Sequence, residues 1–304
     1  MRSDPPAPKH DPLDRLTYLP PGERPILTWP GNSPVAFWLA VNIELRELMP
    51  GPNPSRVPWP RMAAPDVQEF SHHDYSNRVG LWRFVEVLAD LAMPCTVSLN
   101  AGVLEHFPEI GAAIAERGWE IMGHGIYNTR YWYDLTEDEE RREIEVCVEL
   151  VRRHTGREIR GMLGPSISAS PHTPDLLAEA GLVYHADWVH DDQPTEIAVR
   201  SGRLVSVPYS YDLNDAPVMR GHFEMEELAD RVLEQIACLG EEGASSGRVV
   251  CLSVHPFLVG QPHRIDALAA LLEHIKDQDV WWTTAGEIAD HYLACTDALR
   301  SPDR

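Results

Sequence analysis

Val35-Ala36-Phe37-Trp38-Leu39-Ala40-Val41-Asn42-Ile43-Glu44 is an apolar run that ends on an amide and a carboxylate. A short continuous apolar run bounded by turn residues reads as a strand buried on both faces. Seven further runs follow: Cys95–Leu99, Glu120–Met122, Gly161–Leu163, Val183–Ala186, Leu204–Val207, Val249–Val254 and Val280–Thr283. Amphipathic stretches separate them, at Arg78–Leu91, Val103–Arg117, Glu137–His154, Thr173–Ala180, Met225–Gly240 and Ile265–Lys276, and Glu287–Cys295 closes the series. Thr136 and Glu139 have the spacing of a capping box. Alternation of strand and helix implies a parallel sheet in an α/β fold. Seven or eight such units suggest a (β/α) barrel more than an open doubly wound sheet. No GxGxxG and no GxxxxGK[ST] follows a strand, so neither a dinucleotide nor a P-loop site is signalled.

The 304 residues are enough for one large α/β barrel, and 43% hydrophobic with 24% charged residues is an ordinary globular composition. The organisation read from this pattern is a proline-rich arm over 1–34, outside the core, then a single catalytic barrel over 35–295 and a short tail over 296–304. The proline-rich stretch Pro50–Pro65 reads as a lid or a packed surface loop. With 26 basic against 47 acidic residues the formal charge is −21, which argues against nucleic acid or an anionic membrane as partner. No apolar run approaches the length of a membrane span. The first fifteen residues lack the apolar segment of a secretory signal, so a cytoplasmic location is the expectation. Five cysteines without CxxC spacing read as reduced thiols, most of them in the core.

In a (β/α) barrel, chemistry collects where strands end. The first run ends in Asn42 and Glu44, the second in Asn100, and the third in His124 between two glycines. Arg160 precedes the fourth, which leads into GMLGPS; the fifth is followed by Asp187-Trp188, Asp191 and Asp192; the sixth by Tyr209, Asn214 and Asp215; the seventh by His255. Carboxylate, imidazole, amide and guanidinium groups converging on one mouth form a hydrolytic set: groups to polarise a carbonyl, move protons and hold an oxyanion. On this reading Glu44, His124 and His255 are the catalytic candidates. Substrate-binding candidates are Asn42, Asn128, Arg160, Trp188, Asp191, Asp192, Asn214 and Asp215. Gly123 and Gly125 suggest that something approaches the backbone beside His124 closely. His72 and His73 read as surface histidines, with metal ligation the other option.

At these residues the sequence resembles the polysaccharide deacetylase superfamily, and within it the branch similar to allantoinases and cyclic-imide hydrolases. The resemblance spans about Val35 to Tyr292. It rests on an ordered set of pieces: NIE, YSNRVGLWR, WEIMGHGIYN, RGMLGPSIS, TPDLLAEAG, ADWVHDDQP, VPYSYDLND, VHPFLVGQPHRI and TTAGEIADHY. It implies a distorted (β/α)7-8 barrel. It also implies a divalent ion bound through Asp, His and His, with a second Asp as general base. Here the base position holds Asn42, the metal-Asp position Glu44, and the two histidine positions His124 and Asn128. Asn is a rare zinc ligand, so the expectation is no cofactor or one divalent metal, zinc if any, on Glu44, His124 and Asn128.

The function expected is hydrolysis of a non-peptide C–N bond by water attack on a carbonyl, as in ring opening of a small imide or ureide. Glu44 would be the general base, its pKa raised towards neutrality by burial. His255 would be the general acid and His124 would polarise the carbonyl or bind a metal. The alternatives are a metal-dependent N-deacetylase of an acetylated sugar and an inactive binding scaffold. A small-molecule substrate and a homo-oligomer are the expected partners.

Overall fold

The computed structural model describes residues 15–51, 64–222 and 224–300. Its strands, in chain order, are β1 (Val35–Ile43), β2 (Thr96–Leu99), β3 (Glu120–Gly123), β4 (Gly161–Met162), β5 (Tyr184–His185), β6 (Thr195–Ile197), β7 (Leu204–Ser206), β8 (Arg248–Val254) and β9 (Val280–Thr283). They form one curled sheet in the order β6-β7-β5-β4-β3-β2-β1-β8, with β9 paired to β1. Every pairing is parallel except β6 with β7. All eight strands read from the sequence are present. β6 was not foreseen, because Thr195-Glu196-Ile197 has one buried residue and no apolar run.

β1 is the spine. Its first four residues pair with β9, its last four with β2, and Val35–Val41 with β8. Its side chains alternate between two cores, as strand geometry requires. Val35, Phe37, Leu39, Val41 and Ile43 join the layer under the helices. Ala36, Trp38 and Ala40 join the interior of the curl with Met122, Tyr184 and Cys251. Continuing that alternation sends Asn42 and then Glu44 inward, at the end where β1 stops.

The helical patterns are also present, with shifted ends. Val103–Arg117 divides at Pro108 into Val103–His106 and Pro108–Arg117, because proline cannot continue a helix from within. The first pattern becomes Val67–Tyr75, one wide turn over Ser76–Gly80, and Leu81–Leu91. Two expectations need correction. Within the arm, Arg15, Leu27 and Trp29 are buried, and Trp29 Nε1 donates to the Arg248 carbonyl at 2.7 Å, so its described part, residues 15–34, belongs to the fold and is not an appendage. The last helix runs to Arg300 instead of ending at Cys295. The stretch 52–63, most of the expected lid, lies outside the described residues. The cysteines are free: Cys95, Cys147 and Cys251 are buried, Cys295 partly buried and Cys238 exposed. Among the described residues no helix is long and apolar enough to cross a membrane.

Glu120 opens β3 at the end away from the mouth. Its partly buried carboxylate accepts from Tyr184 Oη of β5 at 2.6 Å, from Thr284 Oγ1 at 2.9 Å and from the Gly286 N–H at 3.0 Å. One side chain thus ties two strands to the start of the helix Ala285–Arg300. Burial pushes its pKa up, partly offset by these donors. Removing it would leave several buried donors without a partner, so Glu120→Ala is expected to lower the unfolding free energy by about 2–4 kcal/mol. Urea denaturation checks this; a loss under about 0.5 kcal/mol, the size of an ordinary surface substitution, would contradict it.

Candidate functional site

Glu44, His124 and His255 follow β1, β3 and β8, and the sheet brings all three together at the carboxyl ends of those strands. His124 Nε2 is 3.8 Å and His255 Nε2 3.4 Å from the same oxygen, Glu44 Oε1. All three side chains are more than nine-tenths buried. Each imidazole is fixed from behind through Nδ1. His124 Nδ1 is 2.9 Å from the Leu163 carbonyl; a carbonyl only accepts, so this nitrogen carries the proton. His255 Nδ1 is 2.6 Å from Asp215 Oδ1, and Asp215 Oδ2 accepts the His255 backbone N–H at 2.8 Å.

These contacts decide the charges. Burial alone would raise the Glu44 pKa, but the hydrogen bond and positive charge of His255 and the charge of Arg46 help hold it well below the ordinary carboxylate range. That reverses the expectation of a carboxyl tuned towards neutrality. For His255, burial opposes protonation, but the charge and hydrogen bond of Asp215, joined by Glu44, win and push the pKa up to about 10. The resting site is therefore a carboxylate facing an imidazolium backed by a second carboxylate.

Several contributors escaped the sequence reading. Arg46 Nη2 lies 3.8 Å from Glu44 Oε2, and its Nη1 binds Glu69 at 3.0 Å. Asn77, in the wide turn, donates to the Glu44 carbonyl at 2.9 Å. His73, expected at the surface, is buried with its ring 4.3 Å from Phe257, which in turn lies 5.7 Å from His255. Burial and the Arg46 charge hold His73 neutral, its pKa lowered to about 3. His72 is exposed, as expected. Of these, only Asn77 falls in a stretch the resemblance rests on, YSNRVGLWR.

Other expected site residues take different parts. Asn42 donates to Ser253 Oγ at 2.9 Å and to the Val254 carbonyl at 3.3 Å, so its amide braces β1 against β8. Asn214 caps a helix through Ala216 N–H and donates to Tyr209 Oη at 3.2 Å. Asp215 is fully buried under His255 and orients it; it does not face the mouth. Asn128 stands near the mouth with its Oδ1 accepting the Ser166 N–H at 3.0 Å. Arg160 precedes β4, at the amino end of the sheet, and pairs with Asp290 at 2.7 Å. Asp191 pairs with Arg24 at 2.7 Å, and the Asp192 carbonyl accepts from Val249 at the start of β8, the other end of that strand from His255. Arg160 is removed from the site because it precedes its strand, and Asp191 and Asp192 because the chain doubles back after β5. Trp188 lines a separate cavity of ≈ 280 Å³ with Arg15, Ser170 and Asp187. The close approach beside His124 comes from the protein itself: Gly125 has φ +69°, and a Cβ there would strike Pro165.

The donors do not fit a zinc ion held by Glu44, His124 and Asn128. Asn128 Oδ1 is already taken by Ser166, and both imidazoles address one carboxylate oxygen. Among the described residues no group of three His, Cys, Asp or Glu side chains could hold a metal ion.

A curled parallel sheet with a carboxylate and two imidazoles at its strand ends is an arrangement suited to hydrolytic chemistry. Residues 72–185 match the family model for polysaccharide deacetylase. The chain is 24% identical to a peptidoglycan deacetylase of Helicobacter pylori over 254 residues, covering 72% of this chain and 85% of the relative. Its fold matches the PuuE allantoinase, with TM-score 0.77 and 23% identity over 89% of this chain and 94% of that one. It also matches a probable polysaccharide deacetylase of Pseudomonas aeruginosa, with TM-score 0.80 and 22% identity over 93% and 97%.

The charge pattern predicts a pH signature. His255 has its folded pKa raised from 6.5 to about 10, so its stabilisation is full below pH 6.5 and is lost as pH climbs to about 10. Glu44 works in the opposite sense, stabilising above 4.5 and losing that contribution as pH falls through its lowered folded value. In denaturant titrations, the stability gap between wild type and His255→Gln should shrink between pH 6.5 and about 10. A gap that stays constant across that window contradicts the assignment.

Proposed function

We propose that the protein opens a small cyclic imide or ureide by adding water to a ring carbonyl. The observation that supports this best is one ionised carboxylate facing two imidazoles, each held from behind through Nδ1, one by a carbonyl and the other by a carboxylate. Glu44, held ionised, orients the attacking water. His124, with its proton on Nδ1, offers the Nε2 lone pair that accepts a proton as the water oxygen bonds to the carbonyl carbon. His255, protonated through Asp215, stands ready to stabilise the oxyanion and then to give its Nε2 proton to the leaving nitrogen as the C–N bond breaks. Glu44 lies between the two nitrogens, so a proton passed along it resets both histidines. Asn42, in the place of the family's base, has no part in proton transfer.

A second reading, N-deacetylation of an acetylated sugar, is favoured by the family match and by the Helicobacter pylori relative. The amide in place of the family's base weighs against it. A net charge of −21 also gives no attraction to an anionic wall polymer.

A panel of hydantoin, succinimide, allantoin and acetylated chito-oligosaccharides, run on protein dialysed against chelator, separates the readings. Ring opening that survives chelation is the expected result, with kcat lowered ~10²–10⁴-fold in His255→Asn. Acetate release restored by added zinc, with no ring opening, would overturn the proposal.

A further inference from the structure

The loop after β4 is built against its residues' own preferences. Ser166 and Ile167 both adopt left-handed backbone, with φ 53° and 56°. L side chains rarely take this conformation, and β-branched ones least of all. Such strain persists only where the surroundings over-determine it. Here the restraint comes from Asp187, a buried carboxylate two residues beyond β5. Its Oδ1 accepts the Gly164 N–H at 2.7 Å and its Oδ2 the Ala169 N–H at 3.1 Å. One side chain therefore clamps the loop on both sides of the strained pair. Gly164 admits the carboxylate, since a Cβ there would lie 2.8 Å from Asp187 Oδ2. His185 Nε2 lies 3.1 Å from Asp187 Oδ1 on the sheet side.

The clamped loop reaches the candidate site at two points. The Leu163 carbonyl, next to Gly164, accepts the His124 Nδ1 proton at 2.9 Å. The Ser166 N–H holds Asn128 Oδ1 at 3.0 Å. We infer that Asp187 is a positioning residue for the hydrolysis: it holds the loop so that the Leu163 carbonyl fixes His124 as the Nδ1–H tautomer and leaves Nε2 facing Glu44. The catalytic meaning of this rests on the proposed role of His124; the structural effect does not.

Two variants test it. Asp187→Asn replaces an acceptor oxygen with an amide that faces a backbone N–H. Gly164→Ala pushes the loop off an intact carboxylate. Nitrogen-15 NMR of labelled imidazoles reads the tautomer without substrate, with His124 assigned by the signals missing in His124→Asn. Wild type is expected to show the Nδ1–H form and both variants a mixture, with kcat for ring opening down ~10²-fold and KM little changed. Circular dichroism confirms folding, and either variant alone carries the test. Folded variants in which His124 keeps the wild-type tautomer overturn the inference. A shifted tautomer in a protein that turns over nothing on the panel supports the positioning role and counts against the proposed function instead.

Discussion

A negative charge buried at the end of β1 is the constraint from which the site follows. Moving a carboxylate out of water costs several kcal/mol unless partners replace the lost solvation. Glu44 is buried and ionised, so the fold has to deliver those partners from distant parts of the chain. His255 comes from β8 and Arg46 from the loop beyond β1; His124 stands beside the carboxylate from β3, and Asn77, from the wide turn that precedes a long helix, holds the Glu44 backbone carbonyl. His255 in turn needs Asp215, forty residues earlier. Removing any one of these groups leaves the others in a less favourable environment, which is why their effects on stability are not expected to add.

The sheet supplies the geometry for this convergence. Parallel strands all end on the same side, and β1 sits next to β8 and β2, with β3 one strand further. Residues following β1, β3 and β8 are therefore neighbours in space without any long loop having to bend. The opposite end of the sheet does structural work. Glu120, Arg160 and Arg24 make their ion pairs and hydrogen bonds there, tying the arm and the last helix to the strands.

Much of this was legible in the sequence. The apolar run over Val35–Ile43 specifies a fully buried strand, and its alternation already points Asn42 and Glu44 inward. His124 and His255 follow apolar runs of the same kind, so their convergence follows from strand ends alone. Partners that depend on how a loop returns were not legible. Asp191 and Asp192 follow β5 in sequence, yet the chain turns back before reaching them, and β6 runs antiparallel to β7. His73 carries no periodic signal that separates it from exposed His72, and Phe257 lies against both rings, at 4.3 Å and 5.1 Å, so only the assembled fold decides which is covered. The charge on Glu44 was misread for a related reason. Burial can be read from an apolar strand, but the imidazolium that offsets it depends on Asp215 lying beneath His255, which no spacing in the chain reveals.

The central claim is that Asp215 and Glu44 keep His255 positively charged. An NMR titration that follows the His255 ring nitrogens in the wild-type protein addresses it directly. The account predicts a midpoint near 10. A midpoint near the ordinary 6.5 would mean a neutral imidazole in the resting site, and would contradict it.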